Sequence, residues 1–325
     1  MTISKFVTTA LAAGVISAAS LAAPSTAAAA DIPCQTAKLI VPWKPGGGTH
    51  IIFSIFEETI NKGDGPKIQV VSISGQGGNK GAKEAKKAKA DGCTLFAIHQ
   101  SAIVSYLAGR VDFTWDAFDT VAQVTSTPEV IGASADAPWD DFNAMIADAK
   151  ANPNTIPLGA TLGSTSQFMW LLIEELNPGA KLKYIPFDGT KERVTALLAG
   201  TIKLGTVNIP TAEKNVAQGT LKAYAVASAE RLPQFPDVPT LKELGTDMTY
   251  SLDRGIVAPK GTPKDVIEMW SKVFKDAAEN PELLEKLKAK GTPVNWVGPK
   301  GYAEWFEDTY SAHEKVAIKI GMFKK

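Results

Sequence analysis

Two stretches of the chain share one grammar, and it narrows the fold more than any other feature. Leu39-Ile40-Val41 reads as a buried strand that runs into Pro45-Gly46-Gly47-Gly48-Thr49 and then into a helical pattern over 50–60, with Ile51, Ile55 and Thr59 on one face. Residues 157–160 read as a second such strand, followed by Thr161-Leu162-Gly163-Ser164-Thr165-Ser166 and a helix over 167–176. A short apolar strand that feeds a helix must bury both of its faces, which is how parallel sheets with crossover helices are built. The remaining pattern agrees: strands at 68–72, 94–98, 182–186, 202–207 and 223–227 alternate with helical segments. Phe142, Met145, Ile146 and Ala149 fall at i, i+3, i+4 and i+7, and residues 263–289 read as two helices broken at Asn280-Pro281. The sequence predicts an α/β fold.

In an open α/β sheet, ligands bind beyond the carboxyl ends of the strands. Free N–H groups at helix starts attract anions there. The loop formed by Lys44, Pro45, Gly46, Gly47, Gly48, Thr49 and His50 and the loop 161–166 are therefore two candidate anion cradles, one in each half of the chain. A site that uses both would lie in a cleft between two lobes. Taken singly, either loop also fits an ordinary tight turn in which Gly supplies positive φ and Ser or Thr caps a helix.

Residues 1–30 differ in composition from the rest: Lys5, an Ala-rich apolar stretch over 6–23, then small residues to Ala30. This pattern predicts a signal peptide cleaved before Asp31 and an exported, soluble protein; the alternative, a membrane anchor, is weakened by the interrupting Thr, Gly and Ser. An oxidising compartment permits a Cys34–Cys93 disulfide, since both cysteines precede predicted strands, but sequence fixes no Cα distance and two unpaired thiols remain open. With 34 basic and 34 acidic residues, the chain lacks the basic excess of a nucleic-acid binder. No nucleophile elbow surrounds Ser164, no Gly-Lys-Ser/Thr follows Gly48, and there is no Cys-x-x-Cys and no histidine pair at metal-ligand spacing. No cofactor, metal or catalytic role is expected; the enzymatic alternative would bring His50 and His99 together at one cleft.

The ordered motifs Leu39-Ile-Val-Pro-Trp-Lys-Pro-Gly-Gly-Gly-Thr49, Gly75-Gln-Gly-Gly-Asn-Lys-Gly81, Asp91-Gly-Cys-Thr-Leu95, Leu197-Leu-Ala-Gly200, Ala225-Val-Ala-Ser-Ala-Glu-Arg231, Pro236-Asp-Val-Pro-Thr240 and Ala258-Pro-Lys-Gly-Thr-Pro263 resemble the periplasmic solute-binding receptors of tripartite tricarboxylate transporters. The resemblance implies a two-lobed type II periplasmic binding protein fold whose cleft closes on a small carboxylate. Lobe one would comprise 31–126 and 252–325, and lobe two 127–251. It implies ligand contacts from the first cradle, from Gln100 and Ser101, and from Thr161, Gly163, Ser164, Thr165 and Ser166, with Asp188 and Asn208 added by their strand-end positions. Relatives commonly carry Asp where this chain has His50, Pro where it has Lys44, an acid where it has Lys203 and Asp where it has Val207. These departures subtract negative charge and point toward a di- or tricarboxylate or an aromatic acid. The implied protein is a periplasmic monomer that serves membrane transporter subunits and binds no nucleic acid; a sensor subunit for a signalling receptor is the alternative partner class.

Overall fold

The first strand, β1 (Thr36–Val41), buries Ala37, Leu39, Ile40 and Val41, as a strand covered on both faces must. The structure, a computed structural model, describes residues 32–322, so the expected signal peptide lies outside the described residues. After β1 come α1 (Gly48–Lys62), β2 (Lys67–Ser72), α2 (Asn79–Lys87), β3 (Thr94–His99), α3 (Ser101–Leu107) and β4 (Phe118–Pro128). The chain then enters a second unit: β5 (Val130–Ser134), α4 (Phe142–Ala151), β6 (Pro157–Ala160), α5 (Thr165–Leu176), β7 (Lys183–Pro186), α6 (Thr190–Leu198), β8 (Leu204–Val207), α7 (Ile209–Ala217) and β9 (Leu221–Val226). It returns through β10 (Ser251–Pro259) and ends with α8 (Lys264–Ala278), α9 (Pro281–Lys288), β11 (Val294–Val297) and α10 (Pro299–Lys319).

Two sheets result, ordered β11-β4-β10-β3-β1-β2 and β7-β6-β8-β5-β9, and they form two lobes. The strands linked by crossover helices are parallel, as expected: β1 with β2 and β3, and β6 with β7 and β8. The parallel pattern does not extend to the strands beside the crossings. β10 runs antiparallel to β3 and β4, and β5 antiparallel to β8 and β9. A strand that arrives from the other lobe enters its sheet from the far end, with no crossover helix to carry the chain round.

On α1 the buried face is Ile52, Phe53, Ile55, Phe56 and Ile60, so the expected Ile55 is buried while Ile51 and Thr59 lie half-buried at its edges. The two phenylalanines decide the phase, because they bury the largest apolar surface. Phe56 packs on Phe274 of α8, 5.9 Å between ring centres. Trp270 of α8 donates to the Gly92 carbonyl at 2.9 Å and so anchors the turn before Cys93. Pairing of β1 with β3 brings the chain ahead of each strand together, and Cys34 and Cys93 form a disulfide with Cα atoms 5.9 Å apart. Far along the chain, α10 buries Tyr302 and Phe306 and reaches the second lobe, where His313 stacks on Phe168 and Lys319 pairs with Glu175.

The disulfide closes a loop with a sequence separation of 59 residues. Replacing both cysteines by serine is expected to lower unfolding free energy by roughly 3 to 4 kcal/mol, since the crosslink restricts the unfolded chain. Urea denaturation of the oxidised protein beside the double variant measures this; equal midpoints would show that the bridge contributes nothing.

Candidate functional site

Four helices begin at one cleft between the lobes. Each follows a strand that ends there: β1 leads to α1, β6 to α5, β7 to α6 and β8 to α7. At the first, Gly46 adopts φ +82°, and the Gly47 N–H closes the turn onto the Lys44 carbonyl at 3.2 Å. That leaves the N–H groups of Gly48 and Thr49 with no intrahelical acceptor, as at any helix start. At the second, Ser164 occupies the N-cap position without a side-chain capping bond, while the Ser166 hydroxyl accepts from the Thr161 N–H at 2.9 Å and fixes the loop. Gly189 begins α6. Asn208 begins α7 and caps it by accepting from the Thr211 N–H at 3.0 Å. Four positive helix ends thus face a cavity of about 70 Å³. It has room for about five waters at the ~10–15 Å³ each requires, or for a small organic molecule.

Two buried arginines line the same cavity, Arg193 of α6 and Arg254 of β10. Arg193 donates to the Thr206 carbonyl (3.1 Å) and hydroxyl (2.8 Å) and to the Thr190 hydroxyl (3.2 Å). Arg254 donates to the hydroxyls of Thr49 (3.1 Å) and Thr127 (2.8 Å) and to the Leu252 carbonyl (3.4 Å). Burial pulls both guanidinium pKa values down, that of Arg254 to about 10. Glu129, on the segment between β4 and β5, also lines the cavity; burial raises its pKa against the pull of both arginines. His99 stacks on Trp43 with ring centres 4.2 Å apart, and its Nδ1 accepts from the Ser101 N–H. Burial, aided by Arg254, holds this imidazole well below its ordinary pKa and therefore neutral.

The lobes touch at the cleft mouth. Lys44 forms an ion pair with Glu192 at 2.5 Å, and the Gly77 N–H donates to Asp188 at 3.1 Å. Ser105 donates to the Gly163 carbonyl and Arg110 to that of Leu162.

Of the residues expected at the site, Lys44, Gly47, Gly48, Thr49, Thr161, Ser164, Thr165, Ser166, Asp188 and Asn208 line the cavity together. Pro45 and Gly46 are exposed outside it. His50 lies one helical step beyond Thr49, on a separate surface groove beside Ser54 and Lys286, so it is not brought together with His99. Gln100 is buried behind the cleft, where it bonds the Ser251 carbonyl and the Asp253 N–H and pins β10 to β3. Ser101 and the Gly163 backbone are likewise engaged behind the lining. Lys203 pairs with Asp136 away from the cleft, and the Lys44 cation is taken up by Glu192. Arg193, Arg254 and Glu129 were not expected. One signal for Arg193 was its place one turn before buried Leu197; one for Arg254 was a lone cation within an otherwise strand-like run ending in Ile256 and Val257. Among the described residues, no group of three His, Cys, Asp or Glu is placed to hold a metal, and no helix is long and apolar enough to cross a membrane.

The family model described as the tripartite tricarboxylate transporter family receptor matches residues 53–322, in agreement with the ordered motifs. BugT of Bordetella pertussis is 30% identical over 286 residues, which span 86% of this chain and 87% of BugT. The structure of MatC from Rhodopseudomonas palustris with bound malate is similar at a TM-score of 0.82 and 26% identity, covering 88% of this chain and 100% of MatC. An R. palustris protein solved with adipate shares the fold at a TM-score of 0.83 and 23% identity, over 90% of this chain and 99% of its own.

The neutral histidines set an acid limit. A histidine kept neutral by the fold takes up a proton on unfolding below its free pKa near 6.5, so acidification favours the unfolded chain. His99 acts in this sense, as does half-buried His313, whose pKa is pushed down to about 4 by desolvation. Stability is expected to be full above about pH 7 and to fall below about pH 6.5, with each histidine contributing about 1.4 kcal/mol per pH unit. Urea midpoints at pH 7.5, 6 and 5 test this, and His313→Phe should reduce the slope; a slope unmoved by that change would contradict it.

Proposed function

Because the chain belongs to the tripartite tricarboxylate transporter receptor family, whose members are periplasmic binding proteins, we propose that it is an exported receptor that captures a small organic carboxylate between its lobes and delivers it to a membrane transporter. The observation that carries this reading is the convergence of four helix starts on one cavity. A carboxylate accepts several N–H and O–H bonds at once, and the positive helix ends favour its charge. Gly48, Thr49, Ser164, Thr165 and Asn208 supply those donors from both lobes. The malate held by MatC supports a small organic acid as the ligand class.

Capture follows from lobe closure. The units 31–126 with 252–325 and 127–251 move about the segments that link β4 to β5 and β9 to β10. A ligand that touches both lobes binds the closed state more tightly than the open one and shifts the population toward it. The Lys44–Glu192 and Gly77–Asp188 contacts form only in that state, and a transporter that reads the closed shape receives a loaded receptor. His99 is stacked, buried and neutral, and among the described residues no nucleophile is hydrogen-bonded to it, which suits binding without chemistry.

A thermal-shift screen of organic acids tests the reading. An acid at about 100 times its dissociation constant should add about 2.7 kcal/mol of stability. Gly48→Val should abolish that gain and leave a folded protein. A Cβ there makes only ordinary contact, 3.6 Å from the Arg254 guanidinium, but the added methyls enter the cavity. No stabilisation by any organic acid, or full stabilisation of Gly48→Val, would overturn the proposal.

A further inference from the structure

We propose that Arg193 and Arg254, one from each lobe, are the charge partners of the bound ligand, and that their pairing selects an acid with two anionic groups over an acid with one. The inference rests on reading the cleft as a carboxylate site and adds which residues set its selectivity.

A guanidinium carries five N–H donors in a planar fork. In Arg254, Nε and Nη1 are used on Thr49, Thr127 and the Leu252 carbonyl; among the described residues Nη2 has no hydrogen-bond partner. In Arg193, Nε and Nη2 are used on Thr190 and Thr206, and Nη1 has none. Each arginine therefore has one free edge, and both residues line the same cavity. They are only 3% and 4% exposed, yet every acceptor they hold is a hydroxyl or a carbonyl. Among the described residues no carboxylate lies within ion-pair distance of either, whereas exposed Arg231 is paired with Glu243.

Charges this deeply buried are ordinarily paired, because removing them from water is costly. Glu129 shares the cavity but is one acid for two guanidiniums and hydrogen-bonds neither. Asp253, next to Arg254, turns its oxygens to Ser251 and Gln100. The missing acceptors therefore belong to the ligand. Arg254 is held by lobe one and Arg193 by lobe two, so a single acid group hydrogen-bonds one guanidinium and leaves the other buried, with no acid bonded to it and only the more distant charge of Glu129 shared between the two. Two acid groups on one small molecule satisfy both, and only with the lobes together. Selectivity and closure then have the same cause.

Calorimetry at pH 7.5 with matched pairs of equal chain length decides the matter: succinate with butyrate, glutarate with pentanoate, adipate with hexanoate. At the best-fitting length the diacid should bind the wild-type protein at least about tenfold more tightly, the effect of one further hydrogen bond to a buried charge. Arg193→Met and Arg254→Met should each weaken the diacid by about tenfold or more and the monoacid by much less, so the ratio collapses. A purely structural role for the arginines would lower melting temperature and leave that ratio standing. If either variant fails to fold, the wild-type ratio alone decides, and equal affinity for monoacid and diacid overturns the pairing while leaving carboxylate binding intact. Binding of no acid at all would remove the carboxylate reading, and the pairing with it.

Discussion

The antiparallel pairing of β4 with β10 is the constraint from which the site follows. Leu252 lies opposite Thr127 and Ser251 opposite Pro128, so both connections between the lobes leave the first sheet side by side. That adjacency sets Thr127, Glu129 and Arg254 at the floor of the cleft and gives the second lobe two neighbouring tethers. Gln100 reinforces the arrangement by bonding β10 from the end of β3. With the tethers fixed, the carboxyl ends of β1, β6, β7 and β8 have one place to meet, and their helix starts meet there.

The elements most legible in the sequence were those whose chemistry is local. Glycine runs and hydroxyl clusters after apolar strands marked both cradle loops, because tight strand-to-helix turns need those residues whatever the tertiary context. The reversed strands beside the crossings were not legible, since nothing in β5 or β10 records which lobe the chain has just left. The inward face of α1 was legible only in part: Ile55 is buried as the period predicts, but Ile51 and Thr59 fit that period as well as Ile52 and Phe56 do, and packing against Phe274 centres the face on the phenylalanines. His50 was misplaced for a related reason. One helical step separates a side chain that faces the cleft from one that does not, and Thr49 holds the inward position beside Arg254.

The arginines show where local pattern stops. Lys44 and Lys203, conspicuous as departures from the family, are both neutralised by nearby acids, Glu192 and Asp136. Arg193 and Arg254 carry no such local signal, yet among the described residues they are the buried cations that line the cavity without an ion pair. Their burial depends on which lobe faces meet, a property of the assembled fold. The chain's formal net charge of +0 likewise gives no hint of a cleft in which helix ends and two guanidiniums converge.

Lobe closure on an organic acid is the central claim, and small-angle X-ray scattering of the mature protein tests it most directly. Titration with succinate, glutarate and adipate should reduce the radius of gyration and the maximum dimension together, saturating at the stoichiometry of one site. Bound acid with an unchanged scattering profile would contradict capture by closure.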